Sequence, residues 1–409
     1  MRATITRRAA LAASLALPGA LAAPRIARAE TVVRLGVLTD ISGPYSANTG
    51  EGSVVSARIA AEEFRRGNPG IAVEVVQGDF QSKPDIGSTI ARQWFDRDGV
   101  HAILDVPSSA LALVIADLAR ERDRIALLTG PGLTDLTGKA CGPNHAHWTF
   151  DNWSFAAGTG NALLAEGLDT WFFVAANYSF GQSLTADATE VVKAGGGRVL
   201  GSTFVPFPGT TDFASFLVQA QASRAKVVAL ANSGTDMVNC VKQAREFGLT
   251  RRQRLAGMAM QLGDVRGAGL EVAQGMVLTE PYYWDLNDGT RDFAARFGER
   301  MGGAKPSMIH AGTYSAALHY LRAVAALGPE AALASGRATL RRMKEMPTDD
   351  AAFGRGTLRA DGRKMHDMYL FEVKSPAESS GPWDCYKLRR RIPAADAFRS
   401  PGAGGCRLT

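Results

Sequence analysis

The chain has 409 residues and a formal net charge of +6. Its length exceeds one comfortable hydrophobic core and therefore predicts two lobes. Five of the 46 basic residues are arginines within the first 29 positions, which leaves 41 basic residues against 40 acidic ones, a balance that gives no reason to expect nucleic-acid or polyanion binding.

The first 29 residues are typical of an export signal. A basic start is followed by an apolar run from Ala9 to Ala23 and by the small residues "ARA" at positions 27–29. This order predicts export with cleavage near Ala29, while "TRR" at positions 6–8 leaves Sec and twin-arginine export both open. No segment approaches about 20 uninterrupted apolar residues, so we expect a soluble periplasmic protein.

The following region, up to residue 128, alternates β-rich runs with helical patterns. The predicted elements are strand Val32–Thr39, a helix ending at Phe64, strand Ile71–Gly78, helix Lys83–Arg97, strand Val100–Asp105, helix Ser108–Arg120 and strand Ile125–Leu128. Such alternation predicts βαβ units that form a parallel sheet.

The same alternation starts again after "CGPNHAHWTFDNW". Strands are predicted at "TWFFVA", "GRVLGSTFV", "AKVVALA" and "RLAGMA", and helices at Ser183–Ala194, Asp212–Ala222 and Thr235–Phe247. Two consecutive open α/β units of about 120 residues predict two similar domains rather than a solenoid.

The last part of the chain does not make a third unit. A crossing segment at "QGMVLTEPYYWDLND" is followed by predicted helices near Arg291–Met301, Ala311–Leu327 and Ala338–Met346. Asp361 and Gly362 then predict the turn of a β-hairpin. The Pro- and Gly-rich end predicts a surface strap or partial disorder.

The four cysteines are Cys141, Cys240, Cys385 and Cys406, and none shows CxxC spacing. A zinc or redox motif is therefore not expected. An oxidising compartment permits disulfides, and Cys141 with Cys406 is a candidate pair. Cys240 falls within a helical pattern and is expected to be a buried free thiol.

The strand-to-helix loops are the candidate ligand-binding segments. Open parallel sheets bind ligands outside the carboxyl ends of their strands, so two such domains facing each other would form a cleft. The loops that would line it are "TDISGPYSANTG", "DVPSSA", "TGPGLTD", "ANYSFGQ", "ANSGTD" and "GMAMQLGD".

These loops favour binding over catalysis. Ser108 lacks the small flanking residues of a nucleophile elbow, and none of the six histidines has a triad-like context. His145 and His147 without carboxylates make a weak metal site, and no Walker or dinucleotide fingerprint is present. We expect no enzymatic activity, no metal and no cofactor.

Ser108 and Ser109 open a predicted helix, where free backbone N–H groups and the helix dipole favour an anion. One serine could simply cap the helix, while the other faces a ligand carboxylate. Pro131 and Gly132 could offer backbone groups or form a plain turn. Tyr178 and Phe180 could cover a ligand or fill the core.

The order of several motifs resembles the solute-binding proteins of branched-chain amino-acid-type ABC transporters. The motifs are the export signal, "LTDISGPYS", "DVPSSA", "LLTGPGLTDLT", "NYSFGQSL", "VKQAREFG" and "LRADGRKMHDMYLFEV". The resemblance spans essentially the whole mature chain. It implies the type I periplasmic binding protein fold, with two doubly wound open-sheet α/β lobes on a three-segment hinge that closes around solute.

The resemblance also implies domain boundaries. These are a signal peptide of residues 1–29, lobe 1 of residues 30–150 and 279–350, lobe 2 of residues 151–278 and 351–385, and a C-terminal strap of residues 386–409. In the family, the serine after the third strand holds the ligand carboxylate, which matches Ser108 with Ser109 beside it. Leu133 stands where the family has a threonine, so Thr134 would have to substitute.

Phe180 matches an aromatic residue that packs on the ligand, and Ser233 replaces a family tyrosine. The full set of expected ligand-binding residues is Ser42, Tyr45, Ser108, Ser109, Pro131, Gly132, Thr134, Tyr178, Phe180, Ser233, Asp236, Met258 and Met260.

Ala259 stands where the family's amino-acid binders place the glutamate that holds the ligand ammonium. A buried ammonium without an anionic partner is costly, whereas Met258 and Met260 offer adaptable apolar surface for an aromatic ring. We therefore expect a carboxylate without an α-amino group, such as an aromatic acid. Asp236 could still serve an ammonium, so a hydrophobic amino acid stays open.

The resulting expectation is a monomeric periplasmic component of an ABC importer. It would capture a small carboxylate and deliver it to the membrane permease subunits, with no nucleic-acid partner. The alternatives are a ligand-sensing receptor of the same fold and a secreted serine hydrolase acting through Ser108.

Overall fold

The computed structural model describes residues 31–408, so the predicted export signal and its cleavage near Ala29 lie outside the described residues. Within this range, no helix combines the length and apolar character that a membrane crossing requires. Two parallel sheets with flanking helices carry the fold, which confirms the predicted α/β class.

The first sheet is parallel and has the strand order β2-β1-β3-β4-β5. Its strands are β1 (Thr31–Thr39), β2 (Ile71–Asp79), β3 (Ala102–Asp105), β4 (Ile125–Leu128) and β5 (His145–His147). The central strands are short apolar runs buried at every position, as expected for a parallel sheet covered on both faces.

The helices of this first half are α1 (Gly50–Gly67), α2 (Pro84–Asp96) and α3 (Ser109–Glu121). The short helices α4 (Asn152–Phe155) and α5 (Asn161–Ala165) lead into the second sheet. The predicted elements up to Leu128 are confirmed, with helix starts shifted by one residue because Lys83 and Ser108 occupy N-cap positions.

The second sheet repeats the arrangement of the first, with parallel order β7-β6-β8-β9. Its strands are β6 (Thr170–Ala176), β7 (Arg198–Val205), β8 (Val227–Ala231) and β9 (Arg254–Gly257). Its helices are α6 (Ser179–Ala194), α7 (Ala214–Ala222), α8 (Thr235–Glu246), α9 (Leu262–Ala268) and α10 (Leu270–Ala273). The prediction began α6 at Ser183, four residues late, because the loop "NYSFGQ" already contains its first turn.

The last part of the chain adds a helical layer and a third sheet. The helices are α11 (Asp288–Arg300), α12 (Met308–Leu327), α13 (Pro329–Ala334) and α14 (Gly336–Glu345), and α12 packs along α1. The antiparallel sheet has the order β10-β13-β14, formed by β10 (Val277–Glu280), β13 (Met368–Val373) and β14 (Tyr386–Ile392).

The predicted hairpin around Asp361 is present as β11 (Thr357–Leu358) and β12 (Lys364–Met365), and Gly362 has the positive φ of +88° that such a turn requires. The C-terminal end differs from a plain strap. Its first residues form β14, whose backbone pairs antiparallel with β13, and α15 (Ala394–Ala397) follows.

A disulfide joins Cys141 to Cys406 and fixes the chain end against the first half, as the candidate pairing anticipated. Cys240 is a buried free thiol, as predicted, and so is Cys385.

Candidate functional site

The turn from β3 to α3 separates the roles of its two serines. Ser108 is the N-cap residue of α3, and its hydroxyl accepts a hydrogen bond from the Leu111 amide at 3.4 Å. Ser109 is the first helical residue, only 1% exposed, and its Oγ has no partner within residues 31–408. Ser109 therefore offers the free hydroxyl at the helix N-terminus, while Ser108 stabilises the helix itself.

The backbone before the serines is unusual. Asp105 and Val106 both have positive φ, of 75° and 58°. This conformation is unfavourable for a β-branched residue such as valine, so the surrounding packing must enforce it. It ends β3 abruptly and turns the chain so that Pro107 and Ser109 reach the sheet edge.

Aromatic side chains from the loops of both sheets contact one another. The hydroxyls of Tyr45, from the loop after β1, and Tyr178, from the loop after β6, lie 2.6 Å apart. Tyr178 stacks on Phe207 with ring centroids 4.8 Å apart and lies 5.9 Å from the Phe180 ring. The two tyrosines thus join the loops of the two sheets.

A second close approach of the two sheets lies at the turn from β8 to α8. The Thr235 amide donates to the Pro44 carbonyl at 3.1 Å. A Cβ on Gly234, which has φ of +64°, would lie 2.3 Å from that same carbonyl oxygen. Only glycine permits both this backbone conformation and this distance.

These loops line a cavity at the carboxyl ends of both parallel sheets. Six of the expected site residues line it, namely Tyr45, Ser109, Gly132, Tyr178, Phe180 and Ser233. Ala259, which the resemblance places at the position of the family's glutamate, lines it as well. The lining residues that the sequence did not single out are Asn48, Thr49, Pro107, Gly130, Phe150, Phe155, Gln261 and Ile309. No Asp, Glu, Lys, Arg or His belongs to this lining of the described chain.

Four expected residues have other partners. Ser42 donates to Asp79 at 2.6 Å, and Thr134 donates to Asp187 at 2.6 Å. The Pro131 carbonyl contacts the His147 ring nitrogen at 2.7 Å. Ser108, as described, caps its helix. These contacts hold the loops in place behind the cavity wall, so these residues do not line it.

Met258 and Met260 do not line the cavity either. Both are buried in hydrophobic clusters, whereas Ala259 and Gln261 face the cavity. The four residues follow β9 through a turn, closed by a hydrogen bond from the Met260 amide to the Gly257 carbonyl at 3.3 Å. The expected methionine surface for a ligand is therefore replaced by a small residue and an amide.

The missed lining residues fall into two groups. Asn48, Thr49, Pro107, Gly130 and Gln261 belong to loops that the sequence had identified, so only the choice of residue within each loop differed. Phe150, Phe155 and Ile309 come from segments outside those loops, and no local pattern marks them.

Comparison with known proteins identifies the family. A family model described as "Periplasmic binding protein" matches residues 32–381. The chain belongs to this family. No curated protein matches the chain.

This periplasmic binding protein is similar to two solved Burkholderia structures. One is a periplasmic binding protein from Burkholderia mallei, at 39% identity over 93% of this chain and 99% of that chain, with a TM-score of 0.87. The other is a branched chain amino acid ABC transporter periplasmic ligand-binding protein from Burkholderia xenovorans LB400, at 38% identity over 92% and 99%, with a TM-score of 0.81. The protein is thus a solute-binding protein of the ABC-transporter type, and its family places it in the periplasm.

A more distant relative shows the fold alone. It is a solute-binding protein of an ABC transporter from R. palustris in complex with benzoate, at 20% identity over 92% of this chain and 100% of that chain, with a TM-score of 0.79.

Buried carboxyls surround the cavity of this periplasmic binding protein. Burial raises the pKa of Asp105, Asp236 and Asp264 to about 7 each, and that of Glu280 to about 8. Asp264 accepts a hydrogen bond from the Asn48 amide at 2.8 Å. Because burial disfavours their charged forms, the walls carry little negative charge below pH 7.

No group of three or more His, Cys, Asp or Glu side chains in the described range could hold a metal ion. His147 lies behind the cavity wall at the Pro131 carbonyl.

Proposed function

We propose that this periplasmic binding protein captures a small aromatic carboxylate in the cavity at Ser109 and delivers it to the permease of an ABC importer. The observation that carries the proposal is the Ser109 hydroxyl, which is buried, without a partner in the described chain, and located at the N-terminus of a 13-residue helix. An anionic oxygen there would gain the hydroxyl, nearby first-turn N–H groups and the helix dipole.

The shape of the rest of the cavity supports an aromatic body. Phe150, Phe155 and Phe180 line it, with Ile309 and Pro107 adding apolar surface. Aromatic rings pack on one another in offset or edge arrangements, which adds to the free energy of simple burial.

The absence of a charged residue in this lining argues against a zwitterion. Ala259 faces the cavity. By the resemblance, this is the position where amino-acid binders of the family have the glutamate that holds the ligand ammonium. A desolvated ammonium with no anionic neighbour would be unfavourable by several kcal/mol.

A hydrophobic amino acid is the second candidate, because Asp236 supplies one observation in its favour. Its Oδ2 is buried and has no partner among residues 31–408. Asp236 does not line the cavity, but an ammonium that reached it would stabilise its ionised form.

We also propose the organisation that delivery would require. The exported protein, with residues 1–29 removed near Ala29, would act as a monomer of two lobes with the boundaries given above. A signalling receptor of the same fold would use the same cavity with another partner. A serine hydrolase is disfavoured because no histidine lines the cavity beside either serine.

Calorimetry on the mature protein at pH 6 tests the ligand class. Benzoate, 4-hydroxybenzoate, cinnamate and leucine would each be titrated, with benzamide as the uncharged match for benzoate. We expect at least one aromatic acid to bind with a dissociation constant far below that of leucine. Tight binding of leucine without binding of any aromatic acid would contradict the proposal.

A further inference from the structure

Asp105 lies directly behind the cavity wall. It ends β3, its exposed fraction is 0%, and neither carboxylate oxygen has a hydrogen-bond partner within residues 31–408. Its Oδ1 is 2.6 Å from the position that a Cβ on Gly130 would take, and Gly130 lines the cavity. The carboxyl group therefore lies behind the cavity wall, next to the lining residue Gly130. In the sequence, Asp105 precedes Ser109 by four residues.

No cation among residues 31–408 acts on the pKa of Asp105. Asp40, directly after β1, is another buried acid and raises the pKa of Asp105 further. From α1 the Ser53 hydroxyl lies nearby, and from β1 the Thr39 hydroxyl; both lower the pKa only in part. Burial dominates and sets the pKa of Asp105 at about 7.

The remaining elements around the β3 end add no charge either. From α12, His310 contacts the Thr49 carbonyl at 2.8 Å, and burial lowers its pKa to about 4, so it is neutral. Thr129, after β4, and Thr313 of α12 share a hydrogen bond of 2.8 Å. The charged residues of α1 nearest its start, Glu51 and Arg58, face each other at the surface.

We propose that Asp105 determines the charge specificity of the cavity: the site holds an anionic ligand while Asp105 keeps its proton, and it releases that ligand when Asp105 ionises. The inference rests on the proposed function, since it requires a carboxylate at Ser109. Ionised Asp105 would place a second negative charge behind the same wall, in a low-dielectric region where repulsion is strong.

The linkage has a definite sign. An anion at Ser109 disfavours ionisation of Asp105, so the ligand raises the proton affinity of Asp105, and the proton raises the ligand affinity by the same factor. With a pKa of about 7 in the free protein, the apparent dissociation constant should rise about tenfold at pH 8 and about hundredfold at pH 9, relative to its value at low pH.

Benzoate titrations of the mature protein between pH 6 and pH 9 test the inference, in the wild type, in Asp105→Asn and in Glu280→Gln. Asparagine is isosteric with aspartate and tolerates positive φ, so the first variant should fold. Glu280→Gln is the matched control, because burial raises the pKa of Glu280 to about 8, but its carboxyl accepts a hydrogen bond from Tyr386 and does not lie behind Gly130. Thermal melts at each pH verify folding.

We expect the benzoate dissociation constant to rise about hundredfold from pH 6 to pH 9 in the wild type and in Glu280→Gln, and less than about threefold in Asp105→Asn. Benzamide binding should not depend on pH. A flat wild-type profile, a slope that survives in Asp105→Asn or one that disappears in Glu280→Gln would overturn the role of Asp105.

A measurement on the wild type alone covers the case of an unfolded variant. Calorimetry at pH 8 in buffers of different ionisation enthalpy should report uptake of close to one proton per benzoate, and zero uptake would overturn the inference. Binding at pH 6 with no pH dependence contradicts only the role of Asp105. Failure of every aromatic acid to bind at pH 6 contradicts the proposed ligand class as well.

Discussion

The β3–α3 turn and the β8–α8 turn occupy the same position in the two sheets, yet they differ in chemistry. In the first, Ser108 caps the helix, Ser109 keeps a free hydroxyl, and Asp105 is buried behind them. In the second, Gly234 holds the N-cap position, where it has no side chain to cap with, and Asp236 lies in the first turn of α8.

The difference assigns separate tasks to two turns of equal topology. The serine turn leaves hydrogen-bond donors free at a helix N-terminus, which suits an anion. The glycine turn removes a side chain so that the Pro44 carbonyl can approach to hydrogen-bond distance of Thr235. One turn is thus suited to hold solute, and the other to bring the two sets of loops together.

The largest expected effect is on stability, and it concerns the buried acids Asp105 and Asp236. The pKa of Asp105 is about 7 in the folded protein against an ordinary value of 3.8, so the folded state retains a proton that the unfolded state loses between about pH 4 and pH 7. Stability from this group is therefore lost as pH rises. Asp105→Asn should gain about 4 kcal/mol over the wild type between pH 4 and pH 8.

Urea denaturation at several pH values measures this gain, and parallel wild-type and variant curves would contradict it. Asp236→Asn should change in the same direction, because burial alone raises the pKa of Asp236. The two variants should therefore show a similar gain in stability.

Gly234→Ala should break the close approach at the second turn. The new Cβ would clash with the Pro44 carbonyl oxygen, and the backbone has positive φ. We therefore expect losses in the free energy of unfolding and in the free energy of benzoate binding that add up to about 3 kcal/mol. Gly196→Ala is the control, since Gly196 has φ of +78° with no atom within 4 Å of the added Cβ. Gly196→Ala should be less stable than the wild type but bind benzoate equally well. Equal losses of benzoate affinity in the two variants would contradict a steric clash with Pro44 as the cause.

Ser109→Ala should weaken benzoate binding by about 2 kcal/mol, or about thirtyfold, because it removes a hydrogen bond to a charged group. Calorimetry at pH 6 measures the change. The free energy of unfolding should change little, since the Ser109 hydroxyl has no partner in the described chain. Unaltered affinity would show that the ligand carboxylate does not bind at this turn.

Ser108→Ala should show the opposite pattern and the smallest effect. The variant loses the N-cap hydrogen bond to Leu111, so we expect a stability loss of about 1 kcal/mol. Benzoate affinity should stay within about twofold of the wild type. A large affinity loss here, with none in Ser109→Ala, would restore Ser108 as the binding serine.

Much of the fold was predictable because its signals are local. Short apolar runs such as "AILD" and "IALL" identify buried parallel strands, and the repeat of the alternation identifies two sheets. The start of α6 was misplaced, since Tyr178 occupies an N-cap position without a capping hydrogen bond and so leaves little trace in the sequence.

The amino-acid sequence by itself determined the two α/β units, the loops at the strand ends and the presence of two serines at a helix start. Only the tertiary structure decided which serine faces the cavity, that Ala259 and Gln261 rather than the neighbouring methionines line it, and that Phe150 and Ile309 complete the wall. The physical reason is range: strand and helix signals depend on neighbouring residues, whereas the inward face of a loop depends on packing against segments far away in the chain.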